Sequence, residues 1–133
     1  MYPGERMIGT TLLLLLAGAA EAAPQPTTEE MLAVYDGFEK CVIEQAFAAA
    51  RTIPADREAA RIGASRCGAE ARAFAEVRIR QSFAKVPKKL RTHEEKIAWA
   101  IGRVQPSFEA NAVRYLPEAR RTGFKRVILS HPK

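Results

Sequence analysis

Cys41 and Cys67 are the only cysteines in the 133-residue chain, so any thiol chemistry belongs to this pair. Redox dithiols typically have the Cys-X-X-Cys spacing at a helix start, where the macrodipole lowers a thiol pKa. Here the two lie 26 positions apart, each on what reads as a mid-helix apolar face, which points to a structural bridge. Together with His93 and His131 they match none of the compact zinc spacings, and a bridge would remove two of the four ligands. No metal and no cofactor is expected.

His93, Glu94 and Glu95 form the one compact group of acid–base residues. They also fall in the first turn of an expected helix, where carboxylates are favoured by the macrodipole without any catalytic role. Ser65, Ser82, Ser107 and Ser130 have no nucleophile-elbow context, Asp36 and Asp56 pair recognisably with neither histidine, and no glycine-rich phosphate loop occurs. The enzymatic alternative is a small hydrolase or lyase whose cleft, between a helical hairpin and a third helix, uses His93 or Glu95.

The cations carry more weight. Arg72, Arg78, Arg80, Lys85, Lys88, Lys89 and Arg91 form one dense run; Arg114, Arg120, Arg121, Lys125 and Arg126 form another. Residues 23–70 carry 5 basic and 8 acidic side chains, whereas 71–133 carry 15 and 5. An anionic partner would therefore dock on the C-terminal half: anionic lipid, lipopolysaccharide or an acidic protein. The ordinary alternative is a solvated, arginine-rich surface. A third class of function is an inhibitor or chaperone-like binder presenting Trp99, Ile43 and Phe47 as an apolar patch.

The chain that positions these groups opens like an exported one. Arg6 and the amino terminus precede an apolar run from Ile8 to Ala20, and Ala20-Glu21-Ala22 offers small residues at a cleavage site. The run spans about 13 residues, short of the roughly 20 a membrane helix needs. Residues 1–22 are thus read as a signal peptide, cut after Ala22 or after Ala20, and residues 23–133 as one small helical domain. No transmembrane segment is expected in the mature chain. Export to a bacterial periplasm or beyond would provide oxidising conditions for the cysteines and makes nucleic acid an improbable natural partner.

Thr27 with Glu30 fits a capping box, so a first helix should start near Thr28. Met31, Tyr35, Phe38, Val42, Gln45 and Ala49 give it an apolar stripe, flanked by Val34, Cys41 and Ala48. Ile43 and Phe47 lie off that stripe and require a second neighbour. A turn at Thr52-Ile53-Pro54-Ala55 leads to a helix expected from Asp56 to about Phe83, with Ala60, Ala64, Cys67, Ala71 and Phe74 facing inward. Gly63 and Gly68 each cost about 1 kcal/mol of helix propensity relative to alanine, tolerable where another backbone comes close.

The cysteines test this hairpin. Residues at equal height on antiparallel helices are equidistant from the turn, and Cys41 and Cys67 are centred on Pro54. The same rule sets Val34 beside Phe74 and Ala48 beside Ala60. Facing helices 8 to 10 Å apart leave roughly 3.5 to 5.5 Å between opposed Cα atoms, within disulfide reach.

Beyond a basic connector around Pro87, Thr92 and Glu95 form a second capping box. A short third helix should follow, with Ile97, Ala100, Ile101 and Val104 inward, broken at Gln105-Pro106-Ser107. A fourth, from Phe108, should be ended or kinked by Pro117 and stopped by Gly123. Residues 124–133 read as an extended or frayed arm. The expected architecture is all-α: a disulfide-clamped antiparallel helical hairpin plus one or two further short helices.

Overall fold

The structure, a computed structural model, describes residues 24–82 and 85–124. The expected leader (1–22), Phe83, and the arm with Lys125, Arg126 and His131 lie outside the described residues. The described elements are helical: α1 (Thr28–Ala50), α2 (Asp56–Ser65), α3 (Gly68–Gln81) and α4 (His93–Arg121).

Both capping boxes form. At the start of α1 the Thr27 amide donates to Glu30 Oε1 (2.9 Å) and the Glu30 amide donates to Thr27 Oγ1 (3.0 Å). At the start of α4 the Thr92 amide donates to Glu95 Oε1 and the Glu95 amide to Thr92 Oγ1, each at 3.0 Å. These exchanges satisfy amide donors that the first helical turn leaves without a partner.

Cys41 and Cys67 are joined in a disulfide with Cα atoms 6.1 Å apart. The hairpin register holds well beyond that bridge. Arg80 reaches Glu30, the Phe74 ring meets Tyr35, and Gly63 lies against Ala46. Arg80 and Glu30 are centred on position 55, and the other two pairs midway between 54 and 55. The face of α1 is close to expectation: Val34 packs against the cluster that holds Phe74, Tyr35 also meets the Phe74 ring, and Ala48 is exposed while Ala46, Ala49 and Ala50 are buried. The three aromatic rings of Phe38, Phe74 and Phe108 converge in the centre of the core, with centroids 4.4 to 5.9 Å apart.

The returning rod is two helices, not the single one expected from Asp56 to Phe83. The amides of Arg66 and Cys67 bond back three residues, to the carbonyls of Gly63 and Ala64, so the helix tightens and stops. Cys67 then occupies the N-cap of α3. It is therefore not mid-helix, although it is fully buried. Gly68 does not serve a close approach, since a Cβ there would meet nothing within 4 Å. Its low helix propensity instead weakens the chain at the joint. Gly63 is the close contact: a Cβ on it would stand 2.7 Å from Ala46 Cα and 2.8 Å from the Gln45 carbonyl carbon.

The largest departure is α4. Two short helices were expected; one helix of 29 residues contains both Pro106 and Pro117. Both prolines are exposed, so water can take the place of the amides they lack. Meanwhile the buried residues Ile97, Ala100, Phe108, Ala112, Leu116 and Ala119 keep one helical stripe in register across Pro106. Continuous burial on one face outweighs two missing bonds on the other. Gly123, with φ of 69°, ends the helix as expected, and the Phe124 amide closes back on the Ala119 carbonyl at 2.7 Å.

α4 runs alongside α1 in the same direction. Phe108 packs on Phe38, Asn111 Nδ2 donates to Glu39 Oε2 at 2.5 Å, and Arg120 reaches the Ala50 carbonyl. This supplies the second neighbour required by Ile43, which is buried. A separate cluster forms where the other end of α3 meets the start of α4: Ala75, Ile79, Ile97 and Ala100 close over Val86 from the connector, with Leu90 and Trp99 at the edge.

Candidate functional site

Of the cations predicted to face a partner, some are paired with carboxylates, whereas Arg78, Lys85, Lys88, Lys89 and Arg91 form no ion pair among the described residues. Four are committed to carboxylates. Arg72 Nη2 lies 2.6 Å from Glu94 Oε2, and its Nε lies 3.6 Å from Glu76. Arg80 pairs with Glu30 at 3.1 Å, and Arg121 with Glu118 at 2.5 Å. Arg120 is the most constrained of the four. Its Nε donates to Asp56 Oδ1 (2.7 Å), Nη1 to the Ala50 carbonyl (3.1 Å) and Nη2 to the Ile53 carbonyl (2.9 Å). Arg120 thus ties the end of α4 to the turn between α1 and α2, a structural role.

Two of these unpaired cations, Arg78 and Lys85, are joined by Arg103, which the sequence did not single out. Arg78, Lys85 and Arg103 line one cavity of about 220 Å3 with Ser82, Trp99, Ala100 and Val104. Among the described residues no lining residue is acidic, and none of the three cations forms an ion pair. Arg78 instead donates from Nη1 to the Gln81 side-chain oxygen at 3.0 Å and lies 6.0 Å from the Phe74 ring centre. The Arg103 guanidinium carbon sits 5.5 Å above the Trp99 ring centre. A more open hollow of about 390 Å3 adjoins it, lined by Arg78, Gln81, Ser82 and Lys85.

Sequence and packing explain this cleft. Arg78 and Ser82 stand one helical turn apart at the end of α3, and Trp99 and Arg103 one turn apart on α4. Ala75, Ile79, Ile97 and Ala100 bury themselves between the two helices, fixing the walls. The Trp99 indole is partly buried at the edge of that cluster, so the stacked Arg103 is held at the rim. Grouped positive charges around a concave, low-dielectric wall raise the local concentration of anions.

No protein-family model, curated protein or solved structure matches the chain. Function must therefore be read from the molecule's own geometry.

The other sequence-predicted residues are dispersed. Lys88, Lys89 and Arg91 are exposed on the connector outside the cleft lining, and Lys125 and Arg126 lie outside the described residues. His93 Nε2 and Glu76 Oε1 are 2.9 Å apart on an exposed surface. Glu95 accepts the amides of Thr92 and Arg91, hydrogen bonds that hold its carboxyl below the ordinary glutamate range. Glu94 is likewise held down, chiefly by its hydrogen bonds from Arg72. Neither His93 nor Glu95 lines the cleft: Glu95 closes the start of α4, and His93 meets Glu76 on α3. Glu70 lies within 4.8 Å of both cysteine sulfurs, but disulfide sulfurs offer no thiolate for a metal. Ile43 is buried, Phe47 packs partly covered near the turn, and Trp99 belongs to the other cluster.

Sequence reasoning missed Arg103 as a site residue and gave Ser82 no role beyond an unsupported nucleophile. The spacing of Trp99 and Arg103, four apart on one helix, was the available signal for a stacked pair.

Proposed function

We propose that this chain is an exported, non-enzymatic interaction protein that binds an anionic partner or surface through its basic C-terminal half. The contact centres on the Arg78–Lys85–Arg103 cleft. The observation that carries the reading is a grouping of unpaired cations: Arg72, Arg80, Arg120 and Arg121 are paired with carboxylates, whereas Arg78, Lys85 and Arg103 form no ion pair among the described residues and line one cleft together. Unpaired cations grouped in a concavity cost stability through mutual repulsion, and an anionic partner would relieve that cost. The expected leader and the Cys41–Cys67 disulfide support a location outside the reducing cytosol. No described helix is long and apolar enough to cross a membrane, which fits a protein that meets such a surface from outside.

The test is co-sedimentation of the purified chain lacking residues 1–22 with phosphatidylglycerol vesicles, lipopolysaccharide or an acidic protein, using phosphatidylcholine vesicles as reference. Binding to at least one anionic target should fall steeply between about 50 mM and about 500 mM salt, as expected when charge dominates. It should also be lost when Lys85 and Arg103 are both reversed to glutamate. Binding that ignores both salt and charge reversal would overturn the proposal.

A further inference from the structure

We infer that the cleft lined by Arg78, Ser82, Lys85, Trp99 and Arg103 is a seat for a phosphate monoester carried on a small polar body. This deepens the anionic-partner reading and rests on it.

Charge is the first argument. Three cations line the cleft and, among the described residues, no carboxylate does, so a singly charged carboxylate or phosphodiester would leave much of the field uncompensated. A phosphate monoester carries about −1.5 to −2 at neutral pH and matches three cations better. Donor type is the second. Two guanidiniums can each grip phosphate oxygens in a bidentate fork, Lys85 adds a point charge, and the Ser82 hydroxyl is a short neutral donor beside them.

Size is the third argument. A cavity of 220 Å3 corresponds to the liquid volume of about seven waters. That admits a phosphate with a few carbons and hydroxyls, and any larger body would extend into the open hollow that shares Arg78, Ser82 and Lys85 with it. Ala100 and Val104, beside Trp99 in the lining, provide an apolar surface for the carbon body. The shared chemistry is a phosphomonoester headgroup, whether free in solution or displayed on a lipid.

Trp99 is the only tryptophan in the chain, so its fluorescence reports on this cleft and nowhere else. The experiment titrates the chain lacking residues 1–22 with glycerol 3-phosphate by fluorescence and by calorimetry. Glycerol and acetate at matched ionic strength are the references. A saturable response to glycerol 3-phosphate alone is expected. K85Q and R103Q should each weaken it about tenfold, and S82A about threefold, the range for hydrogen bonds to charged and neutral donors. K40Q removes the same charge on α1, outside both the cleft lining and the basic C-terminal half, and should leave the affinity unchanged. Circular dichroism of each variant checks that it folds.

A second arm compares vesicles containing phosphatidic acid, a monoester, with vesicles containing phosphatidylglycerol, a diester. Preference for phosphatidic acid identifies the lipid-borne source. Saturable binding of glycerol 3-phosphate without that preference identifies a free solute. If glycerol 3-phosphate gives no saturable response, or acetate gives the same one, or K40Q is as damaging as K85Q, this inference is overturned. Salt-sensitive vesicle binding that survives such a result leaves the broader anionic-partner reading standing; loss of both removes that reading as well.

Discussion

Gly63 lies directly on the backbone of Ala46, so that a methyl group at position 63 would stand 2.7 Å from the Ala46 Cα. Backbone on both sides of the contact leaves nothing that can rotate away. Gly63→Ala should therefore destabilise the fold by about 2 to 3 kcal/mol, in the range of core overpacking. At Gly102 on α4, a methyl group would meet open space, and Gly102→Ala should stabilise by about 1 kcal/mol. Denaturant unfolding of the two variants should show shifts of opposite sign.

The disulfide closes a 26-residue separation between α1 and the start of α3. In the chain-entropy model a loop of that length contributes about 3.5 kcal/mol. Cys41→Ser with Cys67→Ser, or reduction, should lower unfolding stability by about that amount. Equal midpoints for oxidised and reduced protein would contradict this.

Arg120 and Arg121 are adjacent but unequal. Arg120 is partly buried and bonds Asp56 and two carbonyls, whereas Arg121 makes one exposed pair one turn away. Arg120→Met should cost about 2 kcal/mol, because it leaves the Asp56 charge and two carbonyls without their donor. Arg121→Met should cost less than about 0.5 kcal/mol. A comparable loss from both would show that the clamp is not the source of the difference.

Acid should weaken the fold in a definite window. The Thr27 amide and then Arg80 lower the pKa of Glu30 below 4.5; Arg72 lowers that of Glu94, and the Thr92 and Arg91 amides that of Glu95. Folded values below the unfolded value mean that the unfolded chain binds protons first. The stabilisation is fully present above pH 4.5 and is lost as pH falls through the lower folded values. The midpoint of thermal unfolding should stay level towards neutral pH and decline below that point. Glu30→Gln with Glu95→Gln keeps the capping geometry while removing two of the titrations, so it should flatten the decline.

Local and pairwise features were readable from the sequence because each depends on few residues. The two capping boxes are four-residue patterns, and the hairpin register follows from one pair of cysteines placed equally about Pro54. The prolines misled because a missing amide is a local cost, whereas the stripe from Ile97 to Ala119 that overrides it is a property of the whole helix. The break at Cys67 was hidden for the complementary reason: Ala64, Cys67 and Ala71 keep helical spacing even though the backbone between them does not. The burial of Glu39 escaped notice since its partner Asn111 lies 72 positions away. The basic runs concealed their division for the same reason, because Glu30, Asp56 and Glu94 reach their arginines from distant parts of the chain.

The placement of Cys67 at the seam between α2 and α3 gives the sulfur–sulfur bond a second effect. It pins the very hinge where the returning rod bends. A reducing agent would therefore unlock a joint as well as open a ring, and limited proteolysis of the reduced chain should begin around Ser65 to Gly68, a point the oxidised form keeps closed.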